Sequence, residues 1–209
     1  MDEVKVVLNG AGAAGNAIIK MLMTAGVKDI IALDSKGIIS KNSGRKEAYK
    51  IWLSENTNPR NVTGGLKEAM VGADVFIGVS KAGCLTKEMA ATMNKDAIVF
   101  AMANPDPEIF PDDAKAAGVK IVATGRSDFP NQVNNVLGFP GIFKGAFSVR
   151  ASDINDEMKL AAAYAIAGLV SDEERNPDYV IPSLFDKRVV EAVSKAVAEA
   201  AIKTGVARI

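Results

Sequence analysis

Near its beginning the chain reads Val4-Lys5-Val6-Val7-Leu8-Asn9-Gly10-Ala11-Gly12-Ala13-Ala14-Gly15. An apolar run typical of a buried strand is followed by the pattern G-x-G-x-x-G, and the residues after it have helical periodicity. In that order the glycines predict a dinucleotide-binding turn. Gly10 permits a tight turn, Gly12 lets the backbone approach a pyrophosphate, and Gly15 lets the helix pack closely on the strand. The free N–H groups at the start of the helix would face the phosphates. The residues predicted to bind the cofactor at this turn are Gly10, Ala11, Gly12, Ala13, Ala14 and Gly15.

An acidic residue follows the next apolar run at the spacing expected of a ribose ligand. Asp34 comes directly after Ile30-Ile31-Ala32-Leu33 and nineteen residues after Gly15. Its carboxylate is suited to accept hydrogen bonds from an adenosine ribose, and it favours NAD because it would repel a 2′-phosphate. NADP stays open as a cofactor, because four basic residues follow that are able to neutralise such a phosphate: Lys36, Lys41, Arg45 and Lys46.

Composition excludes several classes of protein. The chain has 209 residues, 48% of them apolar, which is enough for one substantial α/β domain. Lys+Arg and Asp+Glu both number 25, so we expect no nucleic-acid partner. No apolar run is long enough to span a bilayer and no signal peptide is visible, which predicts no membrane partner. The single cysteine, Cys84, fits a reducing compartment, and we expect a cytoplasmic location.

The chain contains no histidine. For this chain acting alone, that excludes dehydrogenases with a His–Asp general base, the usual hydrolase triads and the usual zinc sites. Any proton transfer must therefore use Lys, Tyr, Asp or Glu, or residues outside this chain.

Apolar runs alternate with helical periodicity, which predicts an α/β fold with a doubly wound parallel sheet, Rossmann-like, and C-terminal helices. We expect a Rossmann-like core over about residues 1–150 and C-terminal helices over about 151–209. The predicted strands are Val4–Leu8, Asp29–Leu33, Val75–Val79, Ile98–Ala101 and Lys120–Ala123. The predicted helices are Ala14–Ala25, Ser43–Leu53, Leu66–Met70, Thr86–Met93, Pro111–Ala117, a short one through Gly145-Ala146, Asp153–Val170 with Ser152 or Asp153 as N-cap, and Val189–Thr204.

Polar residues follow three of the predicted strands, at the sheet edge where such folds bind ligands. Ser80, in the loop Gly78–Gly83, is a candidate donor to the cofactor, and Asn104, before Pro105, offers both a donor and an acceptor. The amide-rich segment Asn131–Asn135 suits recognition of a carboxylate and a carboxamide. The structural alternatives are simple turns for the first two and a hydrogen-bonded covering loop for the third. An acidic cluster is interpreted as the start of a helix: Asp106, Glu108, Asp112 and Asp113.

These motifs together resemble a known family. The glycine turn, Asn104-Pro105-Asp106-Pro107-Glu108 and the string from Ala123 to Asn135 are similar to the NAD(P)-binding half of the short bacterial malic enzymes. Pro182-Ser183-Leu184-Phe185-Asp186-Lys187-Arg188-Val189-Val190 resembles that family's C-terminal segment. The resemblance covers essentially the whole chain.

The resemblance implies oxidative decarboxylation of malate to pyruvate and carbon dioxide, with hydride passing to NAD or NADP and Mg²⁺ or Mn²⁺ holding the substrate. It places Asn104 against the nicotinamide ribose or the substrate. Asn134 would meet the carboxamide end of the cofactor and Asn135 the malate carboxylate. The family also implies a homo-oligomer.

In that family the catalytic Tyr and Lys and the metal-binding carboxylates precede the glycine motif, whereas only nine residues precede Gly10 here. We therefore expect no catalytic residue and no metal ligand in this chain. The partner would be an N-terminal catalytic domain, and the isolated chain would bind cofactor without turnover. Two alternatives remain: a non-catalytic dinucleotide-binding or assembly module, and the nucleotide domain of another dehydrogenase.

Overall fold

The structure is a computed structural model that describes residues 2–209. It contains two compact units, the first ending at Pro130 and the second spanning Asn131–Ile209. The first unit holds the strands β1 (Lys5–Asn9), β2 (Asp29–Asp34), β3 (Gly37–Ile38), β4 (Val75–Gly78), β5 (Ile98–Ala101) and β6 (Ile121–Thr124). Its helices are α1 (Ala13–Thr24), α2 (Ala48–Asn56), α3 (Leu66–Met70), α4 (Lys87–Ala90) and α5 (Pro111–Ala116).

The strands form one sheet in the order β3-β2-β1-β4-β5-β6. All neighbouring pairs are parallel except β2 and the two-residue β3, which was not predicted. Strand residues alternate between two apolar layers: Val7 packs with Phe76 on one face, and Leu8 packs with Ile19 of α1 on the other. A sheet covered on both faces, with its strand order reversing between β1 and β4, confirms the predicted doubly wound α/β class.

Helix α2 begins five residues later than predicted. Ser43 N–H donates to Ser40 O, and Gly44 has a φ of 63°, a left-handed conformation that a right-handed helix cannot contain. The predicted start at Ser43 is therefore wrong.

The second unit consists of a short 3₁₀ helix (Asn135–Leu137) followed by α6 (Phe139–Ser148), α7 (Asp156–Ala167) and α8 (Arg188–Lys203). Helices α6 and α7 both pack on α8 around a shared apolar cluster. A Cβ atom at Gly145 of α6 would lie 2.5 Å from Ser194 O, so glycine is what allows this close approach. Because α6 packs on α8, the unit begins at Asn131 rather than near residue 150.

The N-cap predicted for α7 is wrong. The side chain of Asn155 accepts the N–H of Met158, whereas the hydroxyl of Ser152 donates to Val206 O and Asp153 accepts the N–H of Ile154. Neither expected residue therefore caps α7, because Ser152 is bonded to the segment after α8 and Asp153 to the turn before α7. None of the helices in residues 2–209 combines the length and apolarity that a bilayer crossing requires.

Candidate functional site

Two of the three motif glycines are required by the fold itself. Gly10 has a φ of 115°, and a Cβ atom there would lie 2.4 Å from Val79 O. A Cβ atom at Gly15 would lie 2.2 Å from Gly10 O. The N–H groups of Gly10 and Ala11 both donate to Leu33 O, at 3.0 and 2.8 Å. The turn therefore ties the end of β1 to the end of β2, and α1 packs against it without room for side chains.

Gly12 differs, because no atom lies within 4 Å of a Cβ built at this position and its φ of −90° is open to any residue. Gly12 is the N-cap of α1 and has no side chain that could cap the helix. The first turn of α1 also contains no acidic residue. The first N–H groups of a helix have no intrahelical acceptor and attract anions. The open space beside Gly12 fits a ligand phosphate, and packing within the chain does not account for glycine here.

A cavity of about 750 Å³ opens beside this turn, within the first unit. Its walls come from the glycine turn, the end of β2, the start of α2 and the loop after β4. The lining residues include Gly12, Asp34, Lys50, Ser80 and Cys84. The cavity lies at the carboxyl ends of the strands, beside the β1–β4 position where the strand order reverses, which is where doubly wound sheets bind ligands.

Asp34 lies at the end of β2 in a network of charges. Its Oδ1 accepts hydrogen bonds from Arg45 Nη2 at 2.7 Å and from the backbone N–H of Lys36 at 2.9 Å. Lys50 Nζ lies 3.1 Å from Oδ2, although no well-directed hydrogen bond reaches this buried oxygen. Asp34 lines the cavity at the end of β2, which is the position predicted for a ribose ligand.

Lys50 is not among the four basic residues that the sequence predicts near the ribose. Of those four, only Arg45 contacts Asp34 through its side chain, whereas Lys36, Lys41 and Lys46 are exposed. Lys50 also donates to Glu47 Oε1 at 3.0 Å. Glu47 and then Asp34 raise the pKa of Lys50 above its usual value. The cluster thus holds two cations and two carboxylates around the predicted ribose position.

On the other side of β1, the loop after β4 carries Ser80. Its hydroxyl donates to Glu108 Oε1 at 3.1 Å and accepts from Asn9 Nδ2 at 3.0 Å, while Cys84 Sγ lies 3.5 Å away. The Ser80 proton is therefore engaged by Glu108, and the oxygen is the part of the hydroxyl that remains for a ligand in the cavity.

Of the four residues in the predicted acidic cluster, Glu108 differs most from its predicted role. Its carboxylate is fully buried and accepts the backbone N–H groups of Ser80 and Ala103, both at 2.9 Å. The helix-start interpretation is wrong for this residue, although it is confirmed for Asp112 and Asp113, which lie in the first turn of α5. Sequence spacing carries no signal for Glu108, because its donors come from two different loops.

The predicted asparagines fall outside the cavity lining. Asn104 is exposed in the loop after β5, before a cis peptide bond to Pro105. Asn134 and Asn135 belong to the second unit, where Asn134 Oδ1 accepts the N–H of Val136 and begins the 3₁₀ helix. The side chain of Asn131 donates to Pro177 O and accepts the N–H of Val180. Asn131 therefore belongs to a hydrogen-bonded loop, which was the structural alternative to ligand binding for this segment.

Carboxylate ligands for a divalent cation are not assembled in the described chain: residues 2–209 contain no group of three or more Asp, Glu or Cys side chains placed to hold one. The residues present thus do not fit the metal that the resemblance implies. They do fit a dinucleotide, because Gly12 leaves space for a phosphate and Asp34 lines the same cavity at the end of β2.

The sheet order, the glycine turn at the switch point and the acidic end of β2 define a dinucleotide-binding domain of the Rossmann class. The family model described as the malic enzyme NAD binding domain matches residues 1–206. The chain therefore belongs to the malic enzyme NAD-binding domain family.

Three curated relatives bear the same family name. The bifunctional malic/malolactic enzyme of Bacillus subtilis is 61% identical over all of this chain, which covers 51% of that protein. The NAD-dependent malic enzyme of Geobacillus stearothermophilus is 53% identical over all of this chain, covering 43% of it. The NADP-dependent malic enzyme of Rhizobium meliloti is 48% identical over 98% of this chain, covering 29% of it. The chain thus spans about half or less of the length of these relatives.

A solved structure has the same fold. The malic enzyme of Pyrococcus horikoshii superposes with a TM-score of 0.92 at 46% identity, covering 99% of this chain and 50% of that one.

Proposed function

We propose that this chain binds a nicotinamide dinucleotide across the carboxyl edge of its sheet. The observation that carries the proposal is the open position at Gly12, where nothing in the chain requires glycine. The N–H groups that follow Gly12 would hold the pyrophosphate, and Asp34 Oδ2 would accept a hydroxyl of the adenosine ribose. Ser80, across the switch point, would present its hydroxyl oxygen to the nicotinamide half.

NAD is the proposed cofactor in preference to NADP. A 2′-phosphate on the ribose would bring a second negative group against Asp34. Arg45 and Lys50 supply two positive charges nearby, but Asp34 and Glu47 already pair with them. The relatives, which include both NAD- and NADP-dependent enzymes by name, support either choice. Titration of the chain with NAD⁺ and NADP⁺ tests it: equal or tighter binding of NADP⁺ would contradict the preference.

In a complete enzyme, the proposed reaction is malate + NAD⁺ → pyruvate + CO₂ + NADH. The nicotinamide, when bound, accepts the hydride that leaves C2 of malate. The residues of this chain bind and orient the cofactor, because the cavity walls hold its phosphate and ribose groups at fixed positions. Family membership supports this reaction, together with the coverage of longer malic enzymes by this chain.

By itself the chain is proposed to bind cofactor without turning over malate. The catalytic Tyr and Lys and the metal ligands would come from the other half of the enzyme, and homo-oligomer formation belongs to the same proposal. An assay of this polypeptide with malate, NAD⁺ and Mn²⁺ should give no NADH above background. Steady pyruvate production would contradict this part of the proposal, whereas failure to bind NAD⁺ would overturn the cofactor site.

A further inference from the structure

Glu108 is a buried carboxylate held entirely by loop donors at the edge of the sheet. It is 0% exposed, and it accepts the N–H and the hydroxyl of Ser80 on Oε1 and the N–H of Ala103 on Oε2. Its own backbone oxygen accepts the N–H of Leu85 at 3.0 Å. One residue therefore links the loop after β4, the loop after β5 and the segment before α4.

The carboxylate lies directly against the backbone of β4. A Cβ atom at Gly78 would lie 2.3 Å from Glu108 Cδ, so glycine makes room for the buried acid. In residues 2–209, no lysine or arginine forms an ion pair with Glu108, and every hydrogen bond of its side chain is donated by the two loops. Its charge is thus stabilised by dipoles and is not cancelled by a neighbouring cation.

The position of Glu108 relative to the cavity follows from the sheet order. Asp34 lies on the β2 side of β1, and Ser80, which Glu108 holds, lines the cavity on the β4 side. A dinucleotide that places its adenosine ribose at Asp34 extends its nicotinamide toward the β4 side. This step rests on the proposed function.

We propose that Glu108 is a positioning residue for the nicotinamide half of the cofactor, and that its buried charge favours the oxidised form. The oxidised nicotinamide ring carries a positive charge and the reduced ring is neutral. The Glu108 carboxylate lies behind the cavity wall and binds the Ser80 hydroxyl, which lines the cavity. It therefore attracts the positively charged oxidised ring and not the neutral reduced ring. Because the site is partly desolvated, this attraction is screened less than it would be at an open surface.

The test compares the affinities of the chain for NAD⁺, NADH and ADP-ribose by calorimetry, in the wild type and in Glu108→Gln. NAD⁺ affinity should fall by roughly three- to tenfold more than NADH affinity. Two controls separate charge from shape. Ser80→Ala keeps the carboxylate and removes the hydrogen bonds of the hydroxyl with Glu108 and Asn9, so it should weaken both nicotinamide forms by the same factor. Glu199 is an exposed acid on α8, and Glu199→Gln should change neither the NAD⁺ affinity nor the NADH affinity.

Equal weakening of NAD⁺ and NADH in Glu108→Gln would overturn the charge effect. Absence of NAD⁺ and ADP-ribose binding to the wild type would overturn the proposed function, and this proposal with it. If Glu108→Gln does not fold, Asn9→Asp decides the question, because it adds a negative charge on the other side of the Ser80 hydroxyl. It should raise the preference for NAD⁺ over NADH, and an unchanged preference would overturn the proposal.

Discussion

Arg45 Nη2 lies 2.7 Å from Asp34 Oδ1, and less than a tenth of either side chain is exposed. This ion pair fixes one oxygen of Asp34 and leaves the other, Oδ2, beside Lys50 without a well-directed donor. The carboxylate is therefore oriented before any ligand binds, with one oxygen held by Arg45 and the other beside Lys50. Such preorganisation lowers the entropic cost of binding.

Removing the charge of Asp34 tests this arrangement. Asp34→Asn leaves Arg45 and Lys50 without their shared partner, so we expect the free energy of unfolding to fall by about 3 kcal/mol. NAD⁺ binding should weaken about tenfold, and NADP⁺ binding should weaken less because the two cations become available to its phosphate. Chemical denaturation and calorimetry measure the two effects. Asp96→Asn, which removes an exposed partner of Lys120, is the control and should change neither appreciably.

If Asp34→Asn weakens NADP⁺ binding more than NAD⁺ binding, Asp34 does not act on the ribose in the way proposed.

Glu47 should make stability depend on pH in acid. Its own backbone N–H and then the Lys50 ammonium lower its pKa from 4.5 to about 2. Because the folded pKa lies below the unfolded one, the contribution of Glu47 is present above about pH 4.5 and is lost as the pH falls toward 2. Thermal melts should show wild type more stable than Glu47→Gln near pH 5, with the difference vanishing near pH 2. Added salt should reduce the difference, and a gap independent of pH would contradict this assignment.

Gly78 should tolerate no side chain, because Glu108 occupies the space a Cβ would need. Gly78→Ala is expected to lower the free energy of unfolding by about 1–3 kcal/mol. Gly125→Ala is the matched control, since no atom lies within 4 Å of a Cβ built there. Urea denaturation of both variants measures the effect. Similar stability of the two would show that Glu108 is not held against β4 as described.

The features that could be predicted from the sequence are those set by short stretches of chain. The glycine turn and the alternation of Val6, Val7 and Leu8 between two faces follow from a few neighbouring residues, so the fold class and the place of Asp34 at the end of β2 were predictable. The position of Lys50 was not, because it depends on where α2 begins. Helix α2 begins only at Ala48, after the left-handed turn at Gly44, and Lys50 lies in its first turn beside Asp34.

Glu108 escaped prediction for a different reason. Its partners are Ser80, twenty-eight residues earlier, and Ala103, and only the side-by-side pairing of β4 and β5 brings the two loops together. Charge spacing in the sequence favoured a helix start, which holds for Asp112 and Asp113. A buried acid among loop donors is visible only once the sheet is formed.

Our proposal rests above all on a dinucleotide phosphate occupying the open space beside Gly12. Calorimetric titration of NAD⁺ into wild type, Gly12→Val and Gly125→Val tests it directly, since neither position has an atom within 4 Å of its Cβ. We expect the melting temperatures of all three proteins to agree within a few degrees. We also expect NAD⁺ affinity to drop by about tenfold or more in Gly12→Val alone. NAD⁺ binding to Gly12→Val as tight as to the wild type would contradict it.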